Sequence, residues 1–189
     1  EATALLAGDA LQTLAFQTLT DLELADSASA QLAMVGLLAA ASGSRGMAGG
    51  QAIDLASVGK ALERSELEFM HIHKTGALIR AAVLLGARAG KPLPDATLTR
   101  LDHYAGIVGL LFQVVDDILD AEADTATLGK TAGKDADHDK PTYVSLLGLD
   151  EAKRLAAEML DSARACLAPL GPRADRLVAL ADFIVHRTF

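Results

Sequence analysis

Apolar residues recur at helical spacing from the start of the chain. Over residues 2–25 the large apolar side chains stand among small Ala and Gly residues, and residues 28–41 repeat the pattern. Because residues three and four positions apart share one face of a helix, each segment is predicted to be an amphipathic helix. The Gly- and Ser-rich stretch 42–50 interrupts the pattern, and a further segment begins at residues 51–55.

The next helical pattern covers about residues 57–73 and runs directly into residues 74–89. The stretch 91–94, which contains two prolines, ends it. Asp95 is then predicted to cap a long helix that reaches about residue 120.

The last third of the chain combines a polar stretch with two more amphipathic patterns. Residues 121–142 contain Gly129, Gly133 and many charges, which predicts an ordered loop. Helices are predicted near residues 150–167 and 173–187, which gives six to eight helices in all and no strand.

Composition supports a helical fold. Of 189 residues, 51% are hydrophobic and only 4% aromatic, and the chain contains 37 Ala and 32 Leu. Ala and Leu favour helices, whereas strands favour β-branched and aromatic residues. We expect one all-α domain over residues 1–189 with a sizeable core.

Charge and apolar run lengths exclude several classes of protein. The net charge is −8, which makes a broad nucleic-acid surface improbable. The longest apolar runs, 32–41 and 81–87, are too short to span a bilayer. Cys166 is the only cysteine, which fits a reducing compartment. We therefore expect a soluble, cytoplasmic protein.

Three carboxylates stand at the end of a nearly all-apolar stretch, residues 107–115. Asp116 and Asp120 are four residues apart and share a helix face, and Asp117 lies about 100° round from its neighbour. Like charges at this spacing repel unless a cation is present. Oxygen ligands of this kind suit Mg²⁺, while the alternative is a solvated acidic helix end.

Lysines near these carboxylates predict a diphosphate site. Lys130, Lys134 and Lys140 follow within a short span, and Lys74 with Thr75 adds an ammonium and a hydroxyl. Each lysine taken alone is better explained as a surface charge. Together with carboxylate-bound Mg²⁺, they could neutralise a diphosphate and make it a good leaving group.

Three other binding motifs suggested by short stretches of the sequence lack residues or spacing that they require. The phosphate-loop ending at Thr131 has Asp124 where a glycine is required, and no strand precedes it. The calcium-loop pattern starting at Asp135 has Leu146 in place of its last carboxylate. His71 and His73 point to different helix faces, so a packing or capping role is favoured over metal binding.

Several motifs in order resemble those of the trans-isoprenyl diphosphate synthases, and most closely the bacterial farnesyl diphosphate synthases. The resemblance covers essentially the whole chain. The matching stretches are GDAL (8–11), GQAID (50–54), HKTGAL (73–78), FQVVDDILD (112–120), GKTAGKD (129–135) and KPTY (140–143).

The resemblance implies an all-α homodimer, each subunit a helical bundle around a central cavity. In that cavity an allylic diphosphate, dimethylallyl or geranyl, condenses with isopentenyl diphosphate to give farnesyl diphosphate. Mg²⁺, or alternatively Mn²⁺, would hold the allylic diphosphate. The alternatives are a synthase of another product length, such as geranylgeranyl diphosphate, or a non-catalytic helical partner subunit. A terpene cyclase fits less well, because the lysine loop would then be unexplained.

The resemblance also implies roles for individual residues. The metal ligands would be Asp116, Asp117 and Asp120. The contacts to diphosphate oxygens would be Lys74, Lys130 and Lys140, with Lys134 nearby. Gln113 and Thr75 would lie beside the ionising carbon, and Phe112 would flank the isopentenyl chain. Asp54 would orient Lys74, with Gln51 on the same cavity wall. Arg187 would close over a diphosphate or, equally, be a surface arginine.

The family's first aspartate-rich motif is absent from this sequence, which has a single DDxxD and begins with Glu1. We therefore expect the chain to be the C-terminal part of a synthase, incomplete at the N-terminus. These 189 residues alone are expected to be inactive or nearly so. Incubation with Mg²⁺, geranyl diphosphate and labelled isopentenyl diphosphate tests this, and turnover near that of an intact enzyme would contradict it.

Overall fold

The computed structural model describes residues 1–128 and 141–188, and this part of the chain is helical. Its nine α-helices are α1 (Ala2–Asp21), α2 (Ala28–Ser42), α3 (Met47–Ser57), α4 (Arg64–His71), α5 (Ala77–Arg88), α6 (Asp95–Leu128), α7 (Tyr143–Leu147), α8 (Leu149–Leu167) and α9 (Asp175–His186). A π-helical turn, Ile72–Gly76, joins α4 to α5, and a 3₁₀ segment, Ala168–Ala174, joins α8 to α9.

The all-α prediction is confirmed. Within the described ranges, the β-type pairing is a single isolated bridge between Ala25 and Gly90, and no strand forms. None of the described helices is long and apolar enough to cross a membrane.

Helix α6 forms the centre of the core. It packs against α5, α8, α9 and the π turn. Residues with little or no solvent exposure recur along it at helical spacing, namely Leu101, Tyr104, Val108, Leu111, Val114, Val115 and Ile118. Because buried residues extend along α6 from Leu101 to Ile118, the aspartates at 116–120 are held on a well-packed part of the helix.

Helix α8 lies along α6 through a face with small side chains. Its buried residues are Ala152, Ala156, Leu160, Ala163 and Leu167, which repeat every three or four positions. Small alanines on this face allow the two helices to approach closely. The contact between α6 and α8 is the most extensive one between two described helices.

Three predicted boundaries differ from the structure. The predicted helix over 57–73 is wrong at its start, because α3 continues to Ser57 and α4 begins only at Arg64. Gly59 has a φ of 73° in the intervening turn, and Glu63 and Glu66 form a capping box that starts α4. Two glutamates do not interrupt the hydrophobic pattern, so that pattern did not indicate the start of α4.

The other two differences concern 42–50 and 121–142. Helix α3 begins at Met47, so Gly49 and Gly50 lie inside a helix rather than in the break. Helix α6 extends to Leu128 instead of ending near residue 120. Charged residues after the aspartates are compatible with an exposed helix, which the loop prediction did not allow for.

Helix α1 leaves an apolar surface exposed. Its leucines Leu5, Leu6, Leu11 and Leu14 are each more than half exposed. Several exposed large apolar side chains on one helix are typical of a helix that contacts another surface.

A tyrosine hydroxyl links α6 to α9 and provides a test of the packing. The Tyr104 hydroxyl donates to the carbonyl of Leu177 over 2.7 Å, and the Tyr104 side chain has no solvent exposure. Tyr104→Phe should lower the free energy of unfolding by about 1 kcal/mol, because a part-buried hydrogen bond is lost. Urea denaturation measures this.

Tyr143→Phe is the matched control. Tyr143 is equally buried, but its hydroxyl has no partner among the described residues. Removing that hydroxyl should cause no loss of stability. An equal loss in both variants would contradict the assignment of the effect to the Tyr104 hydrogen bond.

Candidate active site

The π turn presents Lys74 and Thr75 to the two helices that flank it. Residues Ile72–Gly76 form this turn between α4 and α5. A π turn rotates the following residues relative to a continuous α-helix, and such turns are frequent at functional sites. Lys74 Nζ donates to Asp54 Oδ2 on α3 over 2.6 Å, and Asp54 is buried. This ion pair holds the lysine head against α3.

On the other side of the turn, hydrogen bonds run from Thr75 into α6. Thr75 Oγ1 donates to Gln113 Oε1 over 3.2 Å. Gln113 Nε2 donates to Asp117 Oδ1, one turn further along the same helix, over 3.2 Å. These two contacts fix the Gln113 amide, so its oxygen faces the π turn and its nitrogen faces the aspartates.

Both carboxylate oxygens of Asp117 are used within the protein. Oδ1 accepts from Gln113, and Oδ2 accepts the backbone N–H of Tyr143 over 2.8 Å. The residue is only 7% exposed. Burial raises the pKa of Asp117 to about 6, although the hydrogen bonds from Tyr143 and Gln113 oppose this rise.

Asp116 has a different environment. Its Oδ1 is 2.7 Å from Arg187 Nη2, and its side chain is 43% exposed. The Arg187 guanidinium lies over the Phe112 ring at 4.3 Å and donates to the Phe112 carbonyl over 3.4 Å. The structure thus places Arg187 against the candidate site, with a side chain only 10% exposed, and not at the surface.

Sequence reasoning did not assign a site role to His71. Its ring stacks on Tyr143 with the centroids 5.7 Å apart. Burial, together with the charge of Lys74, lowers the pKa of His71 to about 4, so the ring is neutral near pH 7. The expectation of a packing role is confirmed. Because Tyr143 donates its N–H to Asp117, the stack supports the segment that holds this carboxylate.

The carboxylates of α6 differ in how well they suit a metal ion. Within the described ranges, no three His, Cys, Asp or Glu side chains come together as a metal site. Asp116 is half-exposed and Asp120 is exposed, on one face of α6, and hard oxygen ligands of this type fit Mg²⁺. Asp117 turns inward with both oxygens engaged. Asp116 and Asp120 are therefore the more exposed of the three carboxylates, and Asp116 Oδ1 is paired with Arg187.

The remaining predicted site residues fall into two groups. Gln51 is half-buried on α3, one turn before Asp54, and Phe112 is half-buried beneath Arg187. Lys130, Lys134 and Lys140 lie outside the described residues. The structure thus brings together the predicted site residues that lie on three elements: α3, the π turn and α6.

Comparison with known proteins identifies close relatives. The family model described as polyprenyl synthetase matches residues 1–168. The farnesyl diphosphate synthase of Escherichia coli (strain K12) is 50% identical over 99% of this chain and 64% of its own length. That of Micrococcus luteus is 46% identical over 99% of this chain and 63% of its own length.

A solved structure shares the fold. The geranyltransferase of Helicobacter pylori, crystallised with magnesium and isoprenyl diphosphate, matches with a TM-score of 0.77 at 32% identity. The match covers 98% of this chain and 60% of that one. The chain thus spans less than two thirds of the length of each of these relatives.

The raised pKa of Asp117 predicts a dependence of stability on pH. The folded state binds the Asp117 proton more tightly than the unfolded state, whose pKa lies near 4. Stability should therefore fall as the pH rises from about 4 to above 6. Relative to Asp117→Asn, which cannot titrate, the loss should approach roughly 3 kcal/mol.

Urea denaturation of both proteins at steps between pH 4 and pH 7.5 measures the difference. Other titrating groups affect both proteins equally, so only the difference between the two curves is diagnostic. Parallel curves would contradict the assignment of a raised pKa to Asp117.

Proposed function

The chain belongs to the polyprenyl synthetase family, and from that premise we propose that it carries the allylic-diphosphate half of a prenyltransferase site. The reaction is the condensation of geranyl diphosphate with isopentenyl diphosphate to give farnesyl diphosphate, or of dimethylallyl diphosphate with two isopentenyl diphosphates in succession, and each condensation releases a diphosphate and a proton. The observation that carries the proposal is the hydrogen-bonded series Thr75–Gln113–Asp117 beside the Lys74–Asp54 pair.

The reaction begins when the allylic C–O bond breaks. The electron pair leaves with the diphosphate, and an allylic carbocation remains. Such a cation is stabilised by fixed oxygen dipoles and is destroyed by water. Thr75 Oγ1 and Gln113 Oε1 supply oxygens on two different elements, 3.2 Å apart and part-buried. Asp117 holds the Gln113 amide so that its oxygen, rather than its N–H₂, faces Thr75.

Positive charge beside these oxygens favours departure of the diphosphate. Lys74 is 32% exposed, so its ammonium can contact a diphosphate oxygen while Asp54 fixes its position. We propose that Asp116 and Asp120 hold Mg²⁺, or Mn²⁺, which when bound would neutralise the leaving diphosphate. The magnesium and isoprenyl diphosphate in the Helicobacter pylori relative support this choice of ion and substrate.

The roles of Lys130, Lys134, Lys140, Phe112 and Gln51 stay predictions from the family resemblance. Asp117 also stays a predicted ligand, but its engaged oxygens favour a role in positioning Gln113 and the start of α7. Arg187 neutralises Asp116 in this structure, which keeps neighbouring carboxylates tolerable on one helix end.

The homodimer implied by the resemblance is part of the proposal. The exposed leucines of α1 support it, because exposed apolar side chains are costly in water and a subunit interface would cover them.

Two alternatives remain open in this proposal. A synthase with a longer product would use the same Lys74, Thr75 and Gln113 chemistry. A non-catalytic partner subunit would have no need for Lys74 or for the Asp117 network, so diphosphate binding separates it from the enzymes.

Binding of geranyl diphosphate in the presence of Mg²⁺ tests the proposal. Isothermal titration of the 189-residue chain should detect binding, and Lys74→Met should weaken it at least tenfold, since a charge-assisted contact to the diphosphate is lost. Lys60→Met is the matched control, because Lys60 is an exposed lysine in the turn after α3. It should bind as the unaltered chain does.

Removing Lys74 leaves Asp54 buried without its cation, so the double variant Lys74→Met with Asp54→Asn is measured beside it. Weakened binding in both variants assigns the loss to the ammonium. No binding by the unaltered chain would favour the non-catalytic partner. Unchanged binding in Lys74→Met would remove Lys74 from the site.

A further inference from the structure

Two glycines allow the backbones of α3 and α6 to touch the π turn. At Gly50 on α3, an added Cβ would lie 2.1 Å from the Lys74 backbone nitrogen and 2.5 Å from the Lys74 Cα. At Gly109 on α6, an added Cβ would lie 2.8 Å from the Gly76 Cα. The turn Ile72–Gly76 is therefore held between two helices at distances that only glycine permits.

Each glycine precedes, by one helical turn, the residue that receives a hydrogen bond from the π turn. Asp54 follows Gly50 by four positions and accepts from Lys74. Gln113 follows Gly109 by four positions and accepts from Thr75. Residues four apart share a helix face, so each flanking helix presents a glycine and then an acceptor to the same turn.

We propose that Gly50 and Gly109 are positioning residues for the allylic-diphosphate site. They set how deeply the π turn lies between α3 and α6, and thereby where Lys74 Nζ and Thr75 Oγ1 are held. The inference rests on the proposed function. It adds to the side chains that contact substrate the backbone contacts that position them.

The atoms that an alanine would meet are backbone atoms, so no side chain can turn aside. Relieving the contact at Gly50 would require the turn or α3 to move by about 1 Å, and a displacement of that size can cost about 100-fold in a reaction that depends on orientation. The Lys74–Asp54 contact of 2.6 Å would be lost or rearranged with it.

Other helical glycines provide matched controls. Gly76 lies in the π turn itself, yet an added Cβ there would meet only the His71 carbonyl oxygen, at 3.6 Å. Gly106 lies one turn before Gly109 on α6 and has nothing within 4 Å. Alanine should be tolerated at both positions, because helix interiors favour Ala over Gly.

The first measurement concerns the structure of the turn and needs no ligand. Amide hydrogen exchange by NMR should be at least tenfold faster at Lys74 and Thr75 in Gly50→Ala and in Gly109→Ala. The Gln113 side-chain amide resonances should shift in Gly109→Ala as they do in Thr75→Val. Neither change should occur in Gly76→Ala or Gly106→Ala.

The second measurement is a double-mutant cycle with Mg²⁺ and inorganic diphosphate as the probe. Gly50→Ala should weaken binding at least tenfold in the unaltered chain but less than twofold in a Lys74→Met background, because Gly50 acts through Lys74. A merely structural effect would weaken binding equally in both backgrounds.

Each result decides a separate point. The proposal is overturned if both glycine variants keep the amide exchange rates and the Gln113 resonances of the unaltered chain. It is also overturned if the losses in binding affinity from Gly50→Ala and Lys74→Met are additive in the double-mutant cycle. Should Gly50→Ala fail to fold, the milder contact at Gly109 still gives the exchange and resonance readouts. No diphosphate binding by the unaltered chain would count against the proposed function, while hydrogen exchange would still decide whether the glycines hold the turn.

Discussion

The rest of the candidate site depends on the hydrogen bonds that the buried carboxylate of Asp117 accepts. It receives one hydrogen bond from Gln113 on its own helix and another from the backbone of Tyr143, 26 residues later. Burial alone would favour its neutral form, in which one oxygen becomes a donor. The two N–H groups oppose that change, and His71 packs on the ring of Tyr143 behind them. The orientation of Gln113 follows from this arrangement.

The hydrogen bonds of the Gln113 amide link Asp117 to Thr75 in the π turn. A glutamine amide can lie either way round, and here its nitrogen is assigned to Asp117 and its oxygen to Thr75 from the hydrogen-bond partners. Lys74, the neighbouring residue, points to Asp54 on the opposite flanking helix. Adjacent residues of a helix point in directions about 100° apart, so the consecutive residues Lys74 and Thr75 can contact the two different helices that flank the turn.

The sequence predicted which helices carry the candidate site residues better than it predicted how those side chains are held. The apolar stretch before Asp116 correctly placed the aspartates on a buried helix, and spacing set Asp116 and Asp120 on one face. Spacing did not show that Asp117 turns inward, because its two donors come from a distant backbone and a neighbouring amide. The π turn was also missed, because the helical pattern over residues 57–73 was predicted to run directly into that of residues 74–89. The capping box at Glu63 was missed for a similar reason: it depends on a pair of acidic residues rather than on a change in hydrophobicity.

The distribution of destabilising features favours a working site over a non-catalytic scaffold. Near pH 7 the buried charge of Asp117 lowers stability, because its folded-state pKa exceeds the ordinary value. Glycine inside a helix costs about 0.5–1 kcal/mol relative to alanine, and Gly50 and Gly109 both lie inside helices. Elsewhere in the fold, α8 packs against α6 through alanines, so buried helix contacts do not in general require glycine. The concentration of these costly residues around one π turn, beside the Lys74 ammonium and the Thr75 and Gln113 oxygens, therefore supports the proposal of a site at that turn.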